Sequence, residues 1–262
     1  MEQILDKAFK LATSLARQAG KIQLEHLGNV GKINYKGEID IVTEVDRQCE
    51  EAIVGGIAKH FPDHDIVAEE GSGTRSRSPF RWIIDPIDGT VNYAHGFPFF
   101  GVSIALEHAG ELVVGVVYDP TRDELFSAVR GGGAYLNEKP IHVTSETVLR
   151  KSMLATGFAY QKDEIKKNIE HFMNFIYSAR AVRRPGSAAI DLAYVACGRL
   201  DGFWEIDLKS WDMAAGVVLI REAAGMVTTF HGGVFDHNRP EIVASNGKIH
   251  QHMIEVLRDR SQ

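Results

Sequence analysis

The sequence is poor in cysteine and shows no excess of basic residues. Cys49 and Cys197 are the two cysteines in 262 residues, too few for a zinc ribbon or a disulfide framework. Lys and Arg number 29 against 35 Asp and Glu, which gives a formal net charge of −6. A mildly acidic chain lacks the basic footprint that non-specific binding of nucleic acid or of a membrane surface requires. We therefore expect no direct nucleic-acid binding, while a protein partner stays open.

Long apolar runs are missing as well. The longest stretch of small and apolar residues, 213–220, is far shorter than a membrane span. Residues 1–20 carry acidic side chains and lack the basic start and apolar core of a secretion signal. Both cysteines lie in apolar, helix-like surroundings typical of inert thiols in a reducing cytosol. We expect a cytoplasmic protein without a membrane segment.

The pattern of apolar residues predicts a layered α/β protein. Apolar residues recur every three or four positions from 4 to 22, which predicts an amphipathic helix. Four closely spaced strand-like runs then predict an antiparallel meander: 102–106, 112–118, 124–129 and 134–136. After residue 144, strands alternate with helices. No linker-like composition separates the two parts, so we predict one domain over 1–262, with a meander half (about 1–145) and an α/β half (about 146–262).

The segment most informative about chemistry is the run WIIDPIDGTVNY, residues 82–93. It places Asp85 and Asp88 directly after a short buried strand that we expect to stop at Asp85, with Pro86 stiffening the turn between them. Both carboxylates can then face one pocket together with the carbonyl of Ile87. Such hard oxygen donors suit Mg²⁺. The structural alternative is a rigid Asp-Pro turn without a ligand.

A candidate phosphate cradle follows these acids. Gly89 and Thr90 stand at a predicted helix start, where backbone amides are free to bind an anion. A cation site beside an anion cradle is what transfer of a phosphoryl group to water requires. The structural alternative here is an Asp-Gly helix cap.

Further acids lie far away in the sequence, and each has a structural alternative. Asp46 and Asp212 could be helix caps, and Glu69 could stand in a solvated loop. If these acids met Asp85 and Asp88 in one cleft, they would raise one another's pKa values unless a cation were present. The joint interpretation therefore requires metal, and more than one ion.

With these residues, the sequence resembles the inositol monophosphatase family, a group of Mg²⁺-dependent, lithium-sensitive phosphatases. The resemblance covers nearly the whole chain and rests on residues 82–93 together with WDMAAGVVLIREAAG, residues 211–225. Residues 115–120 and 184–189 also look like family segments. Ala68 and Ala224 depart from positions where the family usually has glycine, but neither supplies a side-chain ligand.

The resemblance implies a fold and a set of site residues. The fold is α/β, with alternating helix and sheet layers, one antiparallel meander sheet and one mixed sheet in a single catalytic domain. The implied ligands of the first Mg²⁺ are Glu69, Asp85 and the Ile87 carbonyl, and those of the second are Asp85, Asp88 and Asp212. The implied catalytic residues are Thr90, Asp46 and Glu69, with Thr90 and Asp46 activating the attacking water. The implied substrate contacts are Asp88, Gly89, Thr90, Ala188, Glu205 and Asp212. Lys36 and Asp40 match a mobile loop near the site.

The implied function is hydrolysis of myo-inositol monophosphate by direct attack of a metal-activated water, with two or three Mg²⁺ ions per site. The resemblance also implies a homodimer. Relatives hydrolyse fructose-1,6-bisphosphate, 3′-phosphoadenosine 5′-phosphate or histidinol phosphate, so another small phosphate ester is an alternative substrate. Some bacterial relatives bind the transcription machinery, which makes RNA polymerase an alternative partner.

Overall fold

A computed structural model describes residues 1–29, 31, 33–35, 41–74, 78–159 and 162–258. Lys36 and Asp40, which the family resemblance matches to a mobile loop near the site, lie outside the described residues. The α-helices of the described part are α1 (Glu2–His26), α2 (Glu44–His60), α3 (Thr90–Ala94), α4 (Lys162–Ser178), α5 (Ala188–Ala196), α6 (Ser210–Glu222) and α7 (His250–Arg258). None of them is both long enough and apolar enough to cross a lipid bilayer.

The described strands form three sheets. A small antiparallel pair consists of β1 (Ile33–Tyr35) and β2 (Ile41–Thr43). A seven-stranded sheet consists, in spatial and chain order, of β3 (Asp65–Ala68), β4 (Phe80–Asp88), β5 (Gly101–His108), β6 (Glu111–Asp119), β7 (Glu124–Val129), β8 (Ala134–Leu136) and β9 (Lys139–Ile141). A five-stranded mixed sheet contains β10 (Met153–Thr156), β11 (Ala181–Arg183), β12 (Gly202–Ile206), β13 (Met226–Thr228) and β14 (Glu241–Ser245), in the order β11-β10-β12-β14-β13.

Helices and sheets alternate in five layers, because each sheet buries apolar side chains on both faces. One core joins α1 and α2 to a face of the seven-stranded sheet. A second core fills the space between the two large sheets around α5 and α6. A third joins the outer face of the five-stranded sheet to α4 and α7. Most of the site residues described below lie on elements that border the second core, whereas Asp46 lies on α2, which belongs to the first.

Close packing of α1 against α2 accounts for Gly56, one of two neighbouring glycines within α2. Gly55 and Gly56 lie within this helix, which nevertheless continues to His60. A Cβ at Gly56 would clash with the side chain of Leu15 on α1. The glycine therefore costs some helix propensity but permits close packing of the two helices.

The predicted α/β layering is confirmed, with three local corrections. The meander from β4 to β9 is antiparallel, but β3 adds to it in parallel, so the sheet is not antiparallel throughout. The strand expected to end at Asp85 continues through Pro86 to Asp88, and the short strand β9 was not predicted. All strands before residue 145 that belong to large sheets join one sheet, and all later strands join the other.

Candidate active site

A β-bulge in β4 places the two acids of the DPID segment on the same side of the sheet. Alternation along a regular strand would send Asp85 and Asp88, three residues apart, to opposite faces. The pairing with β5 jumps from Asp85 opposite Ser103 to Asp88 opposite Gly101, so one extra residue is inserted in β4. Ile87 consequently joins the core beneath α1 and α2. Asp85 and Asp88 are both left facing the central layer of helices.

The bulge takes the carbonyl groups of Pro86 and Ile87 out of the strand pairing, and a side-chain donor lies next to each of them. The side-chain amide of Gln23, which is fully buried on α1, donates to the carbonyl of Pro86 at 2.8 Å. The hydroxyl of Thr90 lies 3.0 Å from the carbonyl oxygen of Ile87. The amide of Ile87 donates to Oδ1 of Asp85 at 2.9 Å. These contacts fix the conformation of the acid-bearing segment.

Asp212 completes a cluster of three acids. It is the third residue of α6, and its Oδ2 accepts the backbone amide of Lys209 at 2.7 Å. One carboxylate oxygen from each of Asp85, Asp88 and Asp212 lies within 4.8 Å of the others. Glu69, just beyond β3, is close enough to hydrogen-bond to Asp85. These are oxygen donors only, which fits a hard divalent cation.

The charge of this cluster is not compensated within the cluster itself. Burial, and then repulsion from Glu69, Asp88 and Asp212, raises the pKa of Asp85 well above its usual value. Burial, and then the charges of Asp88 and Glu69, likewise raises the pKa of Asp212. Carboxylates that repel one another in a buried place bind either protons or a cation. The arrangement therefore has the electrostatics of a metal site.

Asp88 differs from its neighbours because it also holds the start of α5. Its Oδ2 accepts the hydroxyl of Ser187 at 2.5 Å and the amide of Ala189 at 2.7 Å. Burial raises the pKa of Asp88 to about 6, although these donors oppose the shift. Asp88 thereby ties β4 to the N-terminus of α5.

Thr90 and Asp46 form a second element of the site. Asp46 belongs to α2, and its Oδ2 accepts the amide of Thr43 at 2.8 Å in a capping box. Its other oxygen lies 3.1 Å from the hydroxyl of Thr90, so the carboxylate caps its helix and also contacts the site. Burial raises the pKa of Asp46, while the Thr43 and Thr90 donors oppose this effect. The cap alternative and the site assignment are thus compatible for this residue.

The glycine before Thr90 is required by the backbone. Gly89 precedes α3 with φ of 93°, in the left-handed region that favours glycine. A Cβ there would lie 3.1 Å from the carbonyl oxygens of Gly186 and Phe99. This conformation lets the chain leave β4 and enter the short helix that carries Thr90.

Glu205 reaches the same region from the five-stranded sheet. It is buried on β12, and burial followed by the charges of Asp212 and Asp88 raises its pKa well above the usual value. A side chain at Gly157 would clash with the Glu205 carboxylate, so that glycine makes room for it. Ala188, the first residue of α5, is buried next to Ala189, whose amide contacts Asp88.

The structure thus places the sequence-derived site residues on seven neighbouring elements or their ends. Asp85, Asp88 and Asp212 lie together, Glu69 and Glu205 interact electrostatically with members of that cluster, and Asp46 contacts Thr90. The sequence analysis did not predict three residues around the site. Ser187 donates to Asp88, Gly157 makes room for Glu205, and Glu50 accepts the amide of Glu70, next to Glu69. Of these, Glu50 carried a signal, because it is an acid four residues after Asp46 on the apolar face of α2.

The sequence profile of the inositol monophosphatase family matches residues 4–262 of the chain. This protein belongs to the inositol monophosphatase family. The predicted family is therefore confirmed, and with it the enzyme class, a phosphatase. An inositol-1-monophosphatase of Synechocystis is 46% identical over 251 residues, covering 95% of this chain and 88% of the relative.

Two other similar proteins show how far the similarity extends. A Pseudomonas aeruginosa protein named Nus factor SuhB is 41% identical over 257 residues, covering 94% of each chain. The solved inositol monophosphatase of Anabaena superposes with a TM-score of 0.89 at 41% identity, covering 97% of this chain and 96% of that one. The fold of the family is thereby shown for this chain.

Proposed function

We propose that this family member is a Mg²⁺-dependent phosphomonoesterase that hydrolyses myo-inositol monophosphate to inositol and phosphate. The observation that supports this most strongly is the convergence of Asp85, Asp88 and Asp212 near the Thr90–Asp46 pair. The name of the 46% identical Synechocystis relative supports the choice of substrate. Since the donor set consists of oxygens and is rich in uncompensated negative charge, it fits Mg²⁺.

We assign the cation ligands as follows. A first ion would be held by Glu69, Asp85 and the Ile87 carbonyl. A second would be held by Asp85, Asp88 and Asp212. A third ion would make three per site, and we assign it no ligands. When bound, Mg²⁺ would lower the pKa of a water molecule and neutralise the charge on the leaving oxygen. Carboxylates that repel one another without metal become favourable partners of a divalent cation.

Thr90 and Asp46 would orient the nucleophilic water. When the Thr90 hydroxyl donates its proton to Asp46, the lone pairs of the threonine oxygen are left to accept a hydrogen bond from water. Asp46 is held for this task by the amide and hydroxyl of Thr43. A general base of this kind is expected to contribute about 10²–10⁴-fold to the rate.

The remaining site residues would bind the substrate. The amides of Gly89 and Thr90, at the start of α3, would take phosphate oxygens. Hydroxyl groups of the substrate would be contacted by four residues around the cluster, namely Asp88, Ala188, Glu205 and Asp212. Glu205 suits a polyhydroxylated substrate, because a carboxylate accepts hydrogen bonds from hydroxyl groups.

The test is phosphate release from myo-inositol 1-phosphate with and without Mg²⁺. We expect activity that depends on the cation, and loss of that activity in Asp88→Asn. Undiminished turnover in this variant would refute the ligand assignment. A panel containing fructose-1,6-bisphosphate, 3′-phosphoadenosine 5′-phosphate and histidinol phosphate tests the substrate: a much higher kcat/KM for one of these would replace inositol phosphate in the proposal.

Three further properties belong to the proposal. We infer inhibition by Li⁺, which would compete for a Mg²⁺ position, and assembly as a homodimer. We place the protein in the cytoplasm, a reducing compartment that suits its two free cysteines. Kinetics with LiCl against a KCl control and sedimentation of the purified protein test the first two.

A role in transcription is a second candidate, because a relative 41% identical is named Nus factor SuhB. Arg183, the last residue of the edge strand β11, and Arg184 directly after it are exposed and offer a basic contact for a protein partner. Capture of RNA polymerase at physiological salt by both the wild type and Asp88→Asn supports this role as independent of catalysis. Absence of capture by the wild type argues against it.

A further inference from the structure

Glu50 is a buried acid that the reaction described above does not use. It lies on α2 one turn after Asp46 and is 0% exposed. Because residues four apart share a helix face, α2 directs two buried carboxylates toward the same side. Asp46 contacts Thr90, whereas Glu50 contacts the loop that follows β3.

Both oxygens of Glu50 bind backbone amides of that loop. Oε2 accepts the amide of Glu70 at 2.7 Å, and Oε1 accepts the amide of Ser72 at 2.8 Å. The amide between them, at Gly71, donates to the carbonyl of Ala68. Hydrogen bonds to an ionised carboxylate are roughly twice as strong as those between neutral groups. Glu50 therefore holds two residues of this loop, Glu70 and Ser72, by hydrogen bonds to both of its oxygens.

The loop that Glu50 holds begins at Glu69. The amide of Glu69 itself donates to the carbonyl of Ile84, the residue before Asp85. Glu69 is thus fixed on one side by β4 and on the other side by Glu50. Between the two amides that Glu50 accepts, Gly71 adopts φ of +95°, a conformation that other residues rarely take.

We propose that Glu50 is a positioning residue that holds Glu69 in place for binding the divalent cation. This inference rests on the proposed function, in which Glu69 is a ligand. Without the Glu50 carboxylate, the amides of Glu70 and Ser72 lose their partner, and the loop turns toward other acceptors. Glu69 then leaves its position near Asp85 although every cation ligand is still present. Through Asp46 and Glu50, α2 sets the positions of both the water-orienting threonine and one ligand.

The test compares Glu50→Gln with Glu51→Gln, a matched change at the exposed neighbouring acid of the same helix. Glutamine keeps one acceptor oxygen but presents an NH₂ group to the second amide. We expect the Kd for Mn²⁺, measured by calorimetry on the full chain, to rise by about 10–100-fold in Glu50→Gln and to stay unchanged in Glu51→Gln. Hydrogen exchange at the amides of Glu70 and Ser72 should accelerate in the metal-free Glu50→Gln protein.

A purely structural role predicts a different result. It would lower the Tm of Glu50→Gln while the Kd for Mn²⁺ and the exchange of the two amides stay at wild-type values, and this outcome overturns the proposal. If Glu50→Gln does not fold, Glu50→Asp keeps the charge but shortens the reach, and the same shift in Kd is expected, with an unchanged Kd counting against it.

Glu69→Gln separates this inference from the proposed function. Weaker Mn²⁺ binding in both Glu69→Gln and Glu50→Gln supports the assignment of Glu50. Weaker binding in Glu69→Gln alone overturns that assignment but leaves the proposed function intact. Unchanged binding in Glu69→Gln removes Glu69 from the ligands and overturns both statements.

Discussion

Thr90 and Asp46, 44 residues apart in the sequence, are joined by a 3.1 Å hydrogen bond from the threonine hydroxyl to the aspartate carboxylate. The same hydroxyl lies 3.0 Å from the Ile87 carbonyl, yet it has a single proton to donate. Occupation of the Ile87 carbonyl by a cation would leave Asp46 as the acceptor. Cation binding and orientation of the water would then be linked through one hydroxyl group.

The first prediction concerns this hydroxyl. Thr90→Val keeps the shape of the side chain but removes the donor, so we expect kcat to fall by about 10²–10⁴-fold. The Mg²⁺ concentration for half-maximal activity should change little, because no ligand is removed. Steady-state kinetics over a Mg²⁺ titration measures both quantities. Thr90→Ser, which restores the hydroxyl, is the control and should retain most of the activity.

The second prediction concerns the mutual repulsion of the acids. In Asp212→Asn the helix-capping acceptor is kept while one negative charge is removed from a cluster whose pKa values are raised. The metal-free variant should therefore unfold at a Tm no lower than that of the wild type. For the wild type we expect Mg²⁺ at about 100 times its Kd to add about 2.7 kcal/mol of stability. Thermal unfolding with and without Mg²⁺ should show that Asp212→Asn loses this gain, and a full gain in the variant would contradict the prediction.

The third prediction concerns pH and a site away from the acids. His250, at the start of α7, is buried between the hydroxyls of Ser245 and Thr228, each 2.8 Å from a ring nitrogen. Burial lowers its pKa to about 4, against about 6.5 in an unfolded chain. The native state therefore favours the neutral ring. The contribution of this group to stability is fully present above pH 6.5 and is lost as the pH falls from there toward 4.

Between pH 6.5 and pH 4, the free energy of unfolding should fall by roughly 3 kcal/mol because of this group. Urea unfolding at a series of pH values between 4 and 7 measures it. His250→Asn removes the titrating group, so its unfolding free energy should fall less steeply over this range than that of the wild type. His252→Asn, on the exposed side of α7, is the matched control and should keep the wild-type slope.

The acid-bearing segment shows what the sequence could and could not predict. The composition of DPID, with a proline between two acids, was sufficient to predict that both carboxylates face one pocket. The β-bulge that turns both carboxylates to one face was not predictable. A bulge is defined by the pairing with the partner strand, and nothing in residues 82–93 specifies that Asp88 pairs with Gly101. For this reason the sequence analysis expected the strand to end at Asp85, whereas β4 continues to Asp88.

Contacts with distant helices were the least predictable part of the site. Gln23 falls on the buried face of α1, and the sequence does not show that its side chain donates a hydrogen bond to the carbonyl of Pro86. Glu50 is similar, since its partners are backbone amides that carry no sequence signature. Periodic patterns predicted which helices form and which faces are buried, but not which backbone groups those faces meet.

The fourth prediction tests the contact of Gln23. Its amide donates to Pro86, while its Oε1 is buried without a hydrogen-bond partner. Gln23→Leu removes both the donor and the unpaired oxygen, so the two effects on stability should largely cancel and leave the Tm within a few degrees of wild type. The bulge loses its anchor, however, and the Mg²⁺ concentration for half-maximal activity should rise. Gln18→Leu, on the exposed face of α1, should leave it unchanged.

The most direct measurement is the anomalous scattering of Mn²⁺ in crystals of the protein soaked with that ion and inorganic phosphate. We expect at least two peaks within coordination distance of the carboxylates, with Asp85 touching both and Asp212 touching one, and phosphate bound next to them near Thr90. An anomalous map with no peak among Asp85, Asp88 and Asp212 at saturating Mn²⁺ would contradict this expectation.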